Sequence, residues 1–109
     1  SNCLFYNNND MTISETVEWF NSIFDINKDA TNERSKFYCG ITDDVERRQE
    51  EHHVAKFLGV TRCDTFDTAK EVEKQMKLAG YDTGKQLGDG NENSIYVYLY
   101  RKIPGSTIE

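Results

Sequence analysis

At 109 residues, the chain has the length of one domain, and no apolar run approaches the roughly 18 residues that a membrane-spanning helix needs. Its net charge of −6 argues against a protein that holds nucleic acid by bulk electrostatic attraction. The three cysteines are an odd number without metal-ligand spacing, which argues against a disulfide framework and predicts a reducing, cytoplasmic location.

The acidity is concentrated in the N-terminal third of the chain. Residues 1–33 carry six acidic side chains and one lysine, whereas residues 34–57 are neutral overall. One helix is predicted there, over residues 12–25, because Thr12 and Glu15 have capping-box spacing and apolar residues follow on one face. We expect an acidic helical extension, 1–33, that covers a sheet edge, occludes the site or binds a protein partner.

The remaining elements alternate between strand and helix. A short apolar stretch before the first helix predicts a strand over residues 4–6. Strands and helices then follow at 36–41 (strand), 43–57 (helix), 60–64 (strand), 68–80 (helix) and 94–103 (strand), with a long turn-rich loop at 81–93. Thr68 and Glu71 have capping-box spacing at the start of the third helix.

The last strand has the clearest pattern. Ile95, Val97 and Leu99 alternate with three tyrosines, so the two groups should point to opposite faces of a sheet. The element order predicts a single α/β domain of the α+β type, residues 1–109 with a core at 36–103. Its small, mostly antiparallel, three-stranded sheet is flanked by helices.

The segment "FYCGITDDVERRQEEH" joins the second strand to the second helix and resembles a signature block of the GIY-YIG nuclease superfamily. That block has Tyr-x-Gly on a strand, a small residue two positions on, and an aliphatic residue, an arginine and a histidine or tyrosine at fixed spacing in the helix. The matching residues here are Tyr38, Gly40, Thr42, Val45, Arg48 and His52. The family also has a glutamate four residues after an alanine, as in Ala69 and Glu73 of "AKEVE".

The chemistry of these residues agrees with the resemblance. Arg48 and His52 are four residues apart and share a helix face, where a guanidinium can bind phosphate and an imidazole can pass a proton. The resemblance implies that Glu73 binds one Mg²⁺ or Mn²⁺, and that Tyr38 lies beside the scissile phosphate. Taken singly, each residue also fits an ordinary role, since Arg48 and Glu73 are typical surface charges of helices and Tyr38 is typical of a core strand.

The family's first block is missing from its usual place upstream of Tyr38. A tyrosine of the last strand, Tyr96 in "SIY", offers a substitute if the fold is circularly permuted, so that this strand replaces the family's first strand beside residues 37–41. Tyr96 would then supply the hydroxyl that the family uses as general base. Ile41 also departs from the family, which often has a basic residue there.

The resemblance therefore predicts a metal-dependent endonuclease that hydrolyses phosphodiester bonds in DNA, with RNA as the other candidate substrate. The alternative is a catalytically inactive GIY-YIG-like domain that acts as a protein-binding or regulatory module, which the acidity and Ile41 favour. The oligomeric state is left open.

Overall fold

A computed structural model describes residues 3–4, 10–85 and 88–109, in which three helices and five strands are found. The helices are α1 (Ile13–Asn27), α2 (Val45–Glu51) and α3 (Phe66–Leu78). The strands are β1 (Cys3–Leu4), β2 (Asp10–Met11), β3 (Phe37–Thr42), β4 (Gly59–Cys63) and β5 (Tyr96–Arg101), and a 3₁₀ turn, Arg34–Lys36, precedes β3.

The sheet is antiparallel, in the order β2-β1-β4-β5-β3, and the α+β prediction is confirmed. Its main part is the set of three longer strands, β4, β5 and β3, to which the two-residue strands β1 and β2 add at one edge. The last strand is therefore central, and it pairs with β3 along its whole length, Tyr38 opposite Tyr100 and Gly40 opposite Tyr98. The predicted pairing of the last strand with residues 37–41 is therefore present.

The two faces of the sheet carry different cores. On one face, Val97 and Leu99 of β5 pack with the buried sides of α1 and α3. On the other face, Tyr98 and Tyr100 form a smaller aromatic cluster with Tyr38 and Phe57. The alternation predicted for the last strand is confirmed, and it separates a helix-covered apolar face from a tyrosine-rich face.

Helix α1 packs onto the helix-covered face. The capping box is present, since the Thr12 hydroxyl accepts from the Glu15 amide and the Glu15 carboxylate accepts from the Thr12 amide. Phe20 and Phe24 are fully buried in the same cluster as the β5 residues. The helix predicted as an acidic extension thus contributes to the larger core, and it lies across the sheet from the tyrosines.

Helix α2 is shorter than predicted and ends at Glu51, not near residue 57. The chain leaves the helix at His53, which has a φ of +56°, and Val54 donates back to the Gln49 carbonyl. This turn carries Phe57 to the tyrosine face, where its ring stacks on Tyr98 at 4.4 Å between centroids. The free energy gained by burying the Phe57 ring therefore outweighs that of extending α2 beyond Glu51.

Helix α3 begins two residues earlier than predicted, because its N-cap is Thr65 and not Thr68. The Thr65 hydroxyl accepts from the Thr68 amide, so the predicted capping box at Thr68 and Glu71 is wrong. The predicted apolar face is confirmed by the burial of Ala69, Val72 and Met76. The helix stops before Gly80, whose φ of +107° favours glycine.

Two predictions fall partly outside the described residues. Of the predicted strand 4–6, only Leu4 belongs to the described residues, and it lies in β1. Within the predicted loop 81–93, residues 86 and 87 lie outside the described residues. Within the described ranges, no helix combines the length and the apolar character needed to cross a membrane.

Candidate active site

A cleft of about 1020 Å³ lies beside the junction of β3 with α2, where residues of the tyrosine face and of α3 both line it. Tyr38 and Tyr98 line it from the sheet, Arg48 from α2 and Glu73 from α3. Its opposite wall is the loop after α3, with Asp82, Thr83, Gly84, Lys85, Asp89, Gly90 and Asn91. Side chains that are far apart in the sequence therefore meet around one cavity.

Gly40 makes room for the Tyr98 hydroxyl. The two residues are directly opposite in the β3–β5 pair, and a Cβ atom on Gly40 would lie 2.2 Å from the Tyr98 hydroxyl oxygen. Any side chain at position 40 would displace that hydroxyl. The glycine of the Tyr-x-Gly motif is thus explained by a close approach of side chain to backbone, as its place on a strand indicated.

The Tyr98 hydroxyl lies between a base and a cation. Its oxygen is 2.7 Å from Nε2 of His52, and the Arg48 guanidinium is near enough to act on its pKa. Burial raises the pKa of Tyr98 well above its usual range, although Arg48 acts in the opposite direction. Tyr98 is therefore a neutral phenol at neutral pH, and the adjacent imidazole can take its proton.

His52 lies behind Tyr98 and not on the cleft surface, since its side chain is only 1% exposed. Burial lowers the pKa of His52, and the nearby positive charge of Arg48 lowers it further. The Ile108 carbonyl, which accepts from the ring, opposes this change without reversing it. The imidazole is accordingly neutral near pH 7 and available as a proton acceptor.

Tyr38 is held next to this group. Its ring centroid is 5.2 Å from that of His52, and its hydroxyl oxygen is 3.0 Å from the position that a Cβ atom on Gly84 would occupy. Burial raises the pKa of the Tyr38 hydroxyl, while Arg48 lowers it and Glu73 raises it. Tyr38 thus interacts electrostatically with both charged residues of the proposed chemistry.

Glu73 presents a carboxylate at the cleft although its residue is only 5% exposed. Oε1 accepts a hydrogen bond of 2.8 Å from the Gly88 amide. Burial raises the pKa of Glu73 from 4.5 to about 7, against the effect of the Gly88 bond. A cation in the cleft would offset the cost of ionising this carboxylate.

The donors around Glu73 fit a site built on one carboxylate. Among the described residues, no group of three or more His, Cys, Asp or Glu side chains is placed to hold a metal ion. Mg²⁺ is commonly held by one or two carboxylates, with water and substrate phosphate as the other ligands. Glu73 would supply the one carboxylate of such a site, and water and phosphate oxygens would have to supply its other ligands.

Acidic side chains outnumber basic ones around the cleft. Its cations are Arg47, Arg48 and Lys85, and its acids are Asp43, Glu51, Glu73, Asp82, Asp89 and Glu109. Several of these acids are neutralised within the protein, because Asp43 pairs with Arg47 at 2.7 Å and Asp82 with Lys102 at 2.9 Å. A bound phosphate would compete with Glu51 for Arg48, since that pair is at 3.3 Å and half exposed.

Some of the predicted site residues line the cleft and others do not. Tyr38, Arg48 and Glu73 line the cleft, and His52 supports it from behind. Tyr96, which the sequence suggested as the base, is not among the described residues that line the cleft. Tyr98, two residues further along β5 on the same face, lines the cleft instead.

Sequence reasoning missed Tyr98 because three tyrosines alternate along the same strand face. The signal that could have identified it is the direct pairing with Gly40, which needs the strand register. Sequence reasoning also missed Thr83, whose Oγ1 is buried and finds no hydrogen-bond partner among the described residues. Because a buried hydroxyl without a partner is costly, a polar ligand in the cleft would relieve that cost.

Comparison of the chain with protein-family models, with curated proteins and with solved structures finds no match.

Proposed function

We propose that this protein is a metal-dependent nuclease of the GIY-YIG type that hydrolyses a phosphodiester bond in its cleft. The single observation that carries the proposal is the convergence of Tyr38, Arg48, Glu73 and Tyr98 on one cavity, with His52 bonded to Tyr98. A phenol, a guanidinium and a carboxylate around one cavity supply the three things that this reaction needs. They are a route for the proton of water, a positive charge for the phosphate, and a ligand for a divalent cation.

The proton route runs from the cleft to the interior. A water molecule attacks phosphorus and gives its proton to the Tyr98 oxygen, while the phenolic proton of Tyr98 passes to Nε2 of His52. The bond from phosphorus to the leaving sugar oxygen breaks, and that oxygen takes a proton from solvent. Tyr98 remains a neutral phenol throughout, in keeping with its raised pKa, and His52 becomes an imidazolium.

Arg48 supplies the positive charge. Its guanidinium stays protonated, because hydrogen bonds to Tyr98 and Glu51 raise its pKa although burial alone would lower it. A planar guanidinium can bind two phosphate oxygens at once and stabilise the charge that develops on them. Arg48 also lowers the pKa of the Tyr98 phenol that would face the attacking water, against the effect of burial.

Glu73 would hold one Mg²⁺ or Mn²⁺ at the far side of the cleft. When bound, such an ion polarises the phosphate and stabilises the charge on its oxygens. The protein's own contribution there is a carboxylate oriented by the Gly88 amide. Tyr38, between Arg48 and the loop, is placed to orient a phosphate oxygen or the attacking water.

We expect DNA to be a better substrate than RNA, as the family resemblance implies. The competing function is an inactive domain of this fold that binds another protein, and the excess of carboxylates around the cleft favours it. The outer surface of α1 is then the first candidate for a protein contact, since one face of this acidic helix is buried and the other is exposed.

Nicking of supercoiled plasmid DNA separates the two functions. The wild-type protein is expected to nick the plasmid with Mg²⁺ or Mn²⁺ and to be inactive in EDTA. Arg48→Ala is expected to lower the rate at least about a hundredfold, because it removes the charge that faces the phosphate. The melting temperature should change little, since the ion pair of Arg48 with Glu51 is partly exposed and such pairs contribute little to stability.

Arg62→Ala is the matched control. Arg62 is exposed on β4 and does not line the cleft, so this variant loses the same charge without touching the site. It is expected to nick at the wild-type rate. Equal rates for Arg48→Ala and the wild type would remove Arg48 from the mechanism, and absence of nicking with both metals would favour the binding module.

A further inference from the structure

The segment Ile108–Glu109 is bonded to the same histidine that supports Tyr98. The Ile108 amide donates to the His52 carbonyl at 2.8 Å, and the Ile108 carbonyl lies 2.5 Å from Nδ1 of the His52 ring. These two bonds join residues 56 positions apart and fix both the backbone and the imidazole of His52. The Ile108 side chain is 54% exposed, so the backbone and not the side chain makes the attachment.

The Ile108 carbonyl selects one form of the neutral imidazole. A carbonyl oxygen can only accept a hydrogen bond, so Nδ1 must carry the proton. Nε2 then has a free lone pair, and it lies 2.7 Å from the Tyr98 hydroxyl. The hydrogen bond between them therefore runs from the Tyr98 O–H to Nε2.

The hydrogen bond between Tyr100 and Glu109 also favours a proton on Nδ1 of His52. The Tyr100 hydroxyl donates to Oε2 of Glu109 at 2.8 Å, and its oxygen is 3.0 Å from Nδ1 of His52. Because its hydrogen is directed to the carboxylate, Tyr100 faces Nδ1 with a lone pair. Nδ1 thus faces two hydrogen-bond acceptors, the Ile108 carbonyl oxygen and the Tyr100 hydroxyl oxygen. Neither directs a hydrogen at Nδ1, so both favour a proton on that nitrogen.

We propose that Ile108–Glu109 is a positioning segment that holds His52 in the Nδ1-protonated tautomer, and so makes Nε2 the acceptor for the Tyr98 proton. Its consequence for cleavage rests on the function proposed above, whereas the tautomer itself does not. The role matches that of the third member of a nucleophile–base–orienter triad, which fixes the tautomer and stabilises the imidazolium that forms. Here a backbone carbonyl takes that place.

Nitrogen-15 NMR of the histidine rings tests the tautomer in the full chain without any substrate. The ring of His52 is expected to show a proton bonded to Nδ1 and none on Nε2. His53 is exposed and serves as an internal reference, for which rapid exchange between both tautomers is expected. A His52 ring protonated on Nε2 in the wild-type protein would overturn the proposal.

Glu109→Ala tests the contribution of the carboxylate. Without Glu109, the Tyr100 hydroxyl is free to donate to Nδ1, and a measurable fraction of the Nε2-protonated tautomer is expected. The double variant Glu109→Ala/Tyr100→Phe lacks that competing donor, so the wild-type tautomer is expected to return. A purely structural role for Glu109 would not be rescued by removing a second hydrogen bond, so absence of rescue would count against the proposal.

Ile108→Pro tests the backbone attachment, because proline cannot donate to the His52 carbonyl. Loss of the tautomer preference is expected, together with at least about a tenfold lower nicking rate, since general-base assistance contributes roughly 10²–10⁴-fold. Ile108→Ala keeps both backbone groups and is expected to keep the wild-type tautomer. An unchanged tautomer in a folded Ile108→Pro variant would contradict the positioning role. Unchanged nicking with an altered tautomer would instead contradict the proton route through His52.

Discussion

At the scale of single residues, Gly40 is the most constrained position of the site. A methyl group there would overlap the Tyr98 hydroxyl at 2.2 Å, and the contact involves a ring that is itself stacked on Phe57. Gly40→Ala is therefore expected to lower the free energy of unfolding by about 1–3 kcal/mol and to lower the nicking rate at least about a hundredfold. Urea unfolding and plasmid nicking measure the two effects.

Gly59→Ala is the matched control for that substitution. A Cβ atom on Gly59 would lie 2.6 Å from the Cδ1 atom of Ile23, a smaller overlap with the end of a flexible side chain that involves α1 and not the cleft. We expect a loss of stability and no specific loss of cleavage at a temperature where the variant is folded. Equal nicking by Gly40→Ala and the wild type would mean that the position of the Tyr98 hydroxyl is unimportant.

Glu73 is expected to make stability depend on pH. Its pKa is raised from 4.5 to about 7, so the folded state binds more protons than the unfolded state between these values. The free energy of unfolding should therefore decrease as the pH rises from about 4.5 to about 7, by about 3 kcal/mol. Glu73→Gln, which keeps an acceptor for the Gly88 amide, should remove most of this decrease.

Urea unfolding at pH 5 and pH 8 measures the pH dependence of the free energy of unfolding. The effect of Mg²⁺ on the melting temperature is a second test of Glu73. Mg²⁺ at pH 8 should raise the melting temperature of the wild type and not that of Glu73→Gln, because a bound cation stabilises the ionised carboxylate. A parallel shift in both proteins would place the metal elsewhere.

Resemblance to the GIY-YIG signature block, and not local geometry, singled out Tyr38, Arg48, His52 and Glu73 in the sequence. Helix periodicity places Arg48 and the C-cap residue His52 on one side of α2. Tyr38, near the start of β3, and Glu73, on α3, reach the cleft only through tertiary packing. The sequence alone could not distinguish Tyr96 from Tyr98, because both side chains point to the same face of β5. That choice depends on which tyrosine lies opposite Gly40, a long-range fact of strand register.

At the scale of elements, the same contrast between local and distant causes explains the helix ends. The start of α1 was predictable, since Thr12 and Glu15 satisfy each other within one turn. The end of α2 was not, because residues 52–57 have no strong helix breaker and leave the helix to bury Phe57. Tertiary packing overrode local propensity there.

The α1 cap gives an expected effect on stability alone. Thr12→Ala should lower the free energy of unfolding by about 1 kcal/mol, because it leaves the Glu15 amide without its acceptor. Nicking should not change, since α1 packs on the face of the sheet opposite the tyrosines. Ser14→Ala, exposed in the same turn, is the control and should be nearly neutral. A cleavage defect in folded Thr12→Ala would indicate coupling from α1 to the cleft.

At the scale of the whole molecule, the net charge of −6 limits how nucleic acid can bind. The cleft offers three cationic side chains, Arg47, Arg48 and Lys85, so few phosphates can be contacted. The logarithm of the binding constant for a DNA oligonucleotide should fall with the logarithm of salt concentration with a slope of only about −1 to −3. Fluorescence anisotropy in EDTA measures this slope without metal-dependent cleavage, and a slope steeper than about −5 would indicate a basic surface outside the cleft.

The central position of β5 has a consequence for biosynthesis. It is the last strand in chain order, yet it separates β3 from β4, which leave the ribosome before it. Until it arrives, both earlier strands expose unpaired edges that can recruit other chains, and the loop closures that it requires are long. We infer that the nascent polypeptide is more prone to aggregation during this interval than after β5 has been made.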